Sequence, residues 1–379
     1  MAGIYLHIPF CKQACHYCDF HFSTSLGKRD ELLKALHIEL FLQKSYLGSQ
    51  SIETIYFGGG TPSLLTAEVL QSLIDKIATY FQLSSDVEIT LEANPDDLNA
   101  KKVREIKQTA INRLSIGIQS FFDADLRWMN RAHTAGEAEG SIKRVQDVGL
   151  ENITIDLIYG YPLLSHEKWA NTLSKAIQLQ VPHISAYAMT VEPRTALASF
   201  IYRGKQQALD EAQSAAQFIQ LMDGLEQADF EHYEISNFAK SGQYSKHNTN
   251  YWSGVSYLGI GPSAHSFNGQ TRQWNVANNA QYLQAIDRKQ IPAEIEILTQ
   301  ENQVNEYIMT SLRTSLGMDL MKIKQHFGER YLTTIKQELN RFLEKNWINI
   351  QEHVVTLSRE GKLFADHVAS ELFVEDLKT

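Results

Sequence analysis

The chain has 379 residues, 43% apolar and 21% charged, which is ordinary for a globular protein able to bury a core of domain size. A formal net charge of −9 argues against a nucleic-acid binder, which would carry a basic field. No run approaches the roughly eighteen apolar residues of a membrane span, and MAGIYLHIPF lacks the basic and apolar regions of a signal peptide, so a cytoplasmic location is expected.

In chain order, strand-like runs appear at IYLHI (4–8), TIYFG (54–58), VEITLEA (87–93), RLSIGIQ (113–119), ITIDLIYG (153–160) and HISAYAMTV (183–191). Segments of helical period lie between them, such as 30–44 and 67–81. Strands alternating with helices of this length predict an α/β fold with a parallel sheet, either doubly wound or a partial (β/α)6 barrel. Beyond residue 200 the rhythm changes. A helix is expected over 208–229, then HYEISNFA, then a loop-rich stretch dense in Asn, Gly, Ser and aromatics. From about 300 short helices are expected, with a small β-wing near the end. The expected division is 1–240, 241–290 and 291–379.

All three cysteines, Cys11, Cys15 and Cys18, fall in one loop after the first predicted strand, with C-x3-C-x2-C spacing. An odd, tightly spaced set in a chain with no export signal reads as metal binding rather than as disulfides. Three thiolates on a four-iron cluster leave one iron without a protein ligand, an open position. The alternative is a Cys3His zinc site using His7, His16 or His21.

YLHIPFCKQACHYCDF resembles the cluster loop of the radical S-adenosylmethionine (SAM) family. The resemblance implies a 4Fe-4S cluster on the three cysteines, SAM on its open iron, and a partial barrel. FGGGTPS (57–63) could be only a strand-to-helix turn with Thr61 as cap and Pro62 at the first helical position. Glu92, Gln119, Arg131 and Asp156 could each be ordinary polar residues, but together they stand near successive strand ends. In order, these segments match the oxygen-independent coproporphyrinogen III oxidase branch of the family. The match implies SAM contacts by Tyr5, Tyr17, Gly59, Gly60, Thr61, Glu92, Gln119, Arg131 and Asp156.

GIGPSA (259–264) satisfies G-x-G-x-x-A, but Pro262 interrupts it and no acidic residue follows at the right distance, so no dinucleotide site is expected. In the oxidase branch the similar segment lines the SAM and substrate region. KHNTNYW (246–252) could be a loop anchored by Tyr251 and Trp252. H-N-x-x-Y-W also resembles the signature of haem chaperones related to that oxidase, and an imidazole is a natural haem-iron ligand. His247 is therefore the candidate haem contact. Two departures from the oxidase point the same way: Phe20 stands where the oxidase has a further cysteine, and only ten residues precede Cys11.

The resemblance thus implies a haem chaperone serving an acceptor haemoprotein, with cluster, SAM and haem as cofactors and no nucleic-acid partner. Peripheral membrane association through the acceptor and a homodimer are compatible with it. The alternative is the decarboxylating oxidase itself.

Overall fold

The computed structural model describes residues 1–375, so the last four residues of the expected 291–379 unit lie outside it. Six strands run parallel in chain order: β1 (Ala2–Ile8), β2 (Ile52–Gly59), β3 (Leu83–Ala93), β4 (Arg113–Gln119), β5 (Ile153–Tyr159) and β6 (His183–Ala188). They are connected through α1 (Arg29–Leu42), α2 (Ala67–Tyr80), α3 (Ala100–Lys107), α4 (Asp123–Trp128), α5 (Ala135–Asp147) and α6 (His166–Gln178). Local chemistry sets several of these helix starts. Thr66 and Ser165 cap α2 and α6, and Thr134 with Glu137 forms a reciprocal capping box at α5.

The alternation within β4 shows how the sheet sorts its two faces. Leu114, Ile116 and Ile118 are buried in the main core, while Arg113, Ser115, Gly117 and Gln119 line an interior cavity. β5 repeats this, with Ile153, Ile155 and Leu157 in the core and Thr154, Asp156 and Ile158 on the cavity. The face turned away from the core thus lines the cavity and is largely polar.

After α7 (Ala196–Tyr202) and α8 (Glu211–Glu226), HYEISNFA forms a hairpin, β7 (Glu231–Glu234) and β8 (Asn237–Ala239), with β8 antiparallel to β6. The stretch 241–290 is more regular than its composition suggests. It folds into α9 (Lys246–Trp252), β9 (Ser256–Ile260), β10 (His265–Phe267), β11 (Thr271–Asn275) and α10 (Asn279–Asp287), followed by β12 (Ala293–Ile297). β9 pairs in parallel with β1. The result is an open sheet of twelve strands in the order β12-β11-β10-β9-β1-β2-β3-β4-β5-β6-β8-β7.

The C-terminal part comprises α11 (Gln300–Leu312), β13 (Met318–Asp319), α12 (Leu320–Phe327), α13 (Glu329–Glu344), β14 (Ile348–Gln351), β15 (Val354–Leu357) and α14 (Ala365–Glu371). It has its own core, including Ile308, Ile323, Ile335, Phe342 and Val355, and a small sheet ordered β13-β15-β14. Arg313 fastens it to the sheet domain: Nε donates to Glu234 at 3.0 Å and its guanidinium lies 5.0 Å from the Trp252 ring of α9. Among the described residues, no helix is long and apolar enough to cross a membrane.

Candidate functional site

The cysteine loop leaves β1 at its C-terminal end and packs over the turn that follows β2. Gly60 N–H donates to Ile8 O at 2.9 Å, and Thr61 N–H donates to Phe10 O at 2.7 Å. These contacts need glycine. A Cβ on Gly60 would come within 2.7 Å of Phe10 O, and Gly59, at φ +105°, would push one to 2.8 Å from the His7 ring. Thr61 is not the side-chain cap that its position suggests. Its hydroxyl faces Cys11 Sγ at 3.5 Å and accepts from Asn94 Nδ2 at 3.3 Å.

Below the loop lies a cavity of about 540 Å³. All three cysteines line it, as do Tyr17, Gly59, Gly60, Thr61, Glu92, Gln119, Arg131 and Asp156. Tyr5 is the one SAM candidate that does not. It stands behind the wall, stacked on Tyr56 with centroids 6.0 Å apart, its hydroxyl 3.3 Å from His7 Nδ1. Arg131 binds the site together: one terminal nitrogen donates to Cys15 Sγ at 3.4 Å, the other to Asn94 Oδ1 at 2.7 Å and Gly117 O at 2.9 Å. Gln119 reaches the cavity from a left-handed backbone, φ +63°, which is uncommon for a side-chain-bearing residue.

Two carboxyl groups face this chamber under strong burial. Burial pushes Glu92 up to about 8, with neighbouring Asp156 adding to the shift, although the Tyr56 hydroxyl donates to Glu92 Oε1 at 2.8 Å. Burial pushes Asp156 up to about 6 against the opposing hydroxyls of Ser115 and Ser185. The Cys11 thiol is raised by burial, and Cys18 reaches about 12. Burial thus favours the neutral thiol in the metal-free chain, and a thiolate here needs a cation beside it.

Among the described residues, no group of three or more His, Cys, Asp or Glu is disposed to hold a single metal ion, as a Cys3His zinc site would require. The candidate histidines are each oriented by one ring nitrogen, which does not by itself bar ligation through the other: His7 Nε2 meets His21 O at 2.8 Å, His16 Nδ1 meets Trp128 O at 2.8 Å, and His21 Nε2 meets Asn279 Oδ1 at 2.7 Å. Three thiols around one chamber, with Thr61 and Arg131 donating toward sulfur, fit a cluster with an open iron. Hydrogen bonds to sulfur are one of the levers that set a cluster's potential.

His247 is placed elsewhere. α9 lies across the N-terminal ends of the strands, where the ring stacks on Tyr56 at 4.7 Å and Nδ1 meets Thr54 Oγ1 at 2.8 Å. Thr54 lies five residue steps from Gly59 along β2, about 16 Å at strand rise. Burial holds His247 down at about 4, so the imidazole is neutral and able to ligate. Tyr251 and Trp252 anchor α9, as expected of aromatics, against Tyr257 and Arg313. GIGPSA is absent from the residues lining the cavity, contrary to the expectation from the oxidase branch. Instead Gly261 N–H donates to the buried carboxylate of Glu39 at 2.8 Å, which ties this turn to α1.

Sequence reading passed over Asn94, Tyr56, Ser115, Ser185 and Tyr187. The signal was the period-2 alternation, which puts Tyr56 and Ser115 on the same face as the chosen acids.

The parallel array with a three-cysteine loop over its C-terminal end is a radical SAM fold, and the Radical SAM superfamily model matches residues 5–176. The HemN C-terminal domain model matches residues 298–364. The solved coproporphyrinogen III oxidase (HemN) from Escherichia coli superposes with a TM-score of 0.85 over 98% of this chain and 90% of that one, at 21% identity, which speaks to the fold alone. The heme chaperone HemW of Bacillus subtilis (strain 168) is 35% identical over 97% of this chain and 98% of its own length. That of Haemophilus influenzae is 31% identical over 99% and 98%. The chain belongs to the heme chaperone HemW family.

Proposed function

We propose that this protein is a haem chaperone that binds haem and passes it to acceptor haemoproteins, working in the cytoplasm. Cys11, Cys15 and Cys18 would hold a 4Fe-4S cluster, which supplies one electron to SAM when both are bound. Gly59, Gly60 and Thr61 would seat one end of SAM, with Glu92, Gln119, Arg131 and Asp156 around the rest and Tyr17 against the cluster. Tyr5 would act through the aromatic wall. His247, neutral and with only Nδ1 hydrogen-bonded among the described residues, is the proposed haem contact.

The observation that carries this reading over the oxidase is Phe20. It lies on the cavity two residues past Cys18, 69% exposed, where the oxidase has a further cysteine. An apolar ring at the mouth suits a flat apolar ligand and offers no sulfur. The family relationship supports the same reading. Membrane contact through an acceptor, and a homodimer, remain part of the proposal.

Anaerobic incubation of the reconstituted protein with coproporphyrinogen III, SAM and a reductant tests it. No vinyl product is expected. Catalytic conversion to protoporphyrinogen IX would establish the oxidase instead.

A further inference from the structure

The inner end of the cavity has a chemistry different from its mouth. Along β3, β4 and β5, Thr90, Arg113 and Thr154 stand two residues further from the cysteine loop than Glu92, Ser115 and Asp156, and Ser245 and Asn248 also line the cavity. Arg113 and Thr90 are each 1% exposed and sit opposite one another in the ladder between β4 and β3. Tyr56, on which His247 stacks, is the ladder neighbour of Thr90 on the other side.

Neither polar group is fully used. Thr90 Oγ1 is buried with no hydrogen-bond partner among the described residues. Leaving a buried hydroxyl unmatched is costly, so a site that keeps one favours a ligand acceptor. The guanidinium carries five N–H donors, of which one goes to Asn152 Oδ1 and one to Thr154 Oγ1. Its charge partner, Glu88, is 3.9 Å away and spends its oxygens on the backbone N–H groups of Lys246 and His247, at 3.1 and 3.0 Å. Glu88 therefore balances Arg113 without hydrogen-bonding it. Nearby His183 is kept neutral by burial and by the Arg113 charge, so it adds no competing cation.

We infer that the cavity floor is a carboxylate-binding subsite, in which Arg113 and Thr90 donate hydrogen bonds to a ligand's carboxylate beneath Asn248 of α9. Such a ligand enters carboxylate first and leaves its neutral or cationic part beside Glu92 and Asp156. The carboxylate could come from a porphyrin propionate or from the amino-acid end of a second SAM molecule, distinct from the one seated on the cluster. The first source rests on the haem reading above; the second does not.

The test uses the full chain, reconstituted anaerobically with iron and sulfide, and the variants Thr90→Val and Arg113→Lys. Haem and haem dimethyl ester are titrated by Soret absorbance, and SAM by equilibrium dialysis. For a propionate, the wild type binds haem at least about tenfold more tightly than the diester, and Thr90→Val weakens haem while sparing the diester. For an amino-acid carboxylate, Thr90→Val weakens binding of a second equivalent of SAM by at least about tenfold and leaves the first equivalent and the haem-to-diester ratio unchanged. Either outcome supports the subsite and names its source. Should Arg113→Lys fail to fold, the near-isosteric Thr90→Val carries the test alone. The subsite is overturned if folded Thr90→Val binds haem, diester and SAM as the wild type does. A wild type that binds no haem removes the proposed function, while the SAM arm still decides the subsite.

Discussion

Gly60 is fixed by contact with backbone rather than with side chains. The atoms that a Cβ would strike are Phe10 O, Phe10 N and Ile8 O, backbone atoms at the end of β1 and the start of the cysteine loop that cannot rotate away. Gly60→Ala is therefore expected to lower stability by about 1–3 kcal/mol, as overpacking does, measured by urea unfolding of the metal-free chain. It should also slow cluster reconstitution, because the displaced loop carries Cys11. The glycine run was legible as a close approach. Its target was not, because nothing in FGGGTPS says whether backbone or ligand fills the space. Thr61 shows the same limit: T-P at a helix start reads as a cap, yet its hydroxyl is turned toward sulfur.

At the scale of elements, α1 and α9 are each held by a buried acid. Glu39 of α1, with no exposed surface, accepts from Tyr282 Oη, Asn275 Nδ2, Gln43 Nε2 and Gly261 N. Glu39→Ala strands several donors at about 1–3 kcal/mol each. A total loss above about 3 kcal/mol is expected in urea unfolding, with the β9–β11 region the first to lose amide-exchange protection. Glu88 plays the matching part under α9. His247→Ala should change the haem absorption spectrum or weaken haem retention while iron and sulfide content stay at wild-type levels. An unchanged spectrum and affinity would remove His247 from the haem site. The six parallel strands were readable because β4 and β5 alternate or run apolar in the expected way. Residues 241–290 were not, because their regularity comes from partners far off in sequence: β9 pairs with β1, and Glu88 receives the first N–H groups of α9.

For the molecule as a whole, buried titrating groups set opposite limbs of the pH profile. His133 and His247 at about 4 and His232 at about 3 are held down by burial, so they stay neutral when folded but protonate on unfolding below 6.5. Stability present above 6.5 is lost as pH falls toward 4. Glu92 and Asp156 act the other way. Their folded values of about 8 and about 6 are raised from 4.5 and 3.8, so stability present at the acid end is lost as pH rises from those ordinary values to the folded ones. The two effects oppose one another between pH 3.8 and 6.5, and above 6.5 the Glu92 limb prevails, so the metal-free protein should lose melting temperature as pH rises from 6.5 to 8. Glu92→Gln should flatten the alkaline limb and leave the acid one, as read by melting temperature from pH 4 to 9. The cysteine spacing and the strand-end acids made the cofactor chamber legible from sequence. Its polar floor stayed hidden because Arg113 and Thr90 look like ordinary strand residues until the register sets them side by side.

As a haem chaperone, the protein is proposed to hold haem and give it up to another protein. The most direct measurement loads the reconstituted chain with one equivalent of haem, with and without SAM, and follows its transfer to an apo-haemoprotein by Soret absorbance. Saturable binding is expected, followed by transfer faster than from free haem and sensitive to SAM. Absence of saturable binding, or transfer no faster than from haem in buffer, would contradict it.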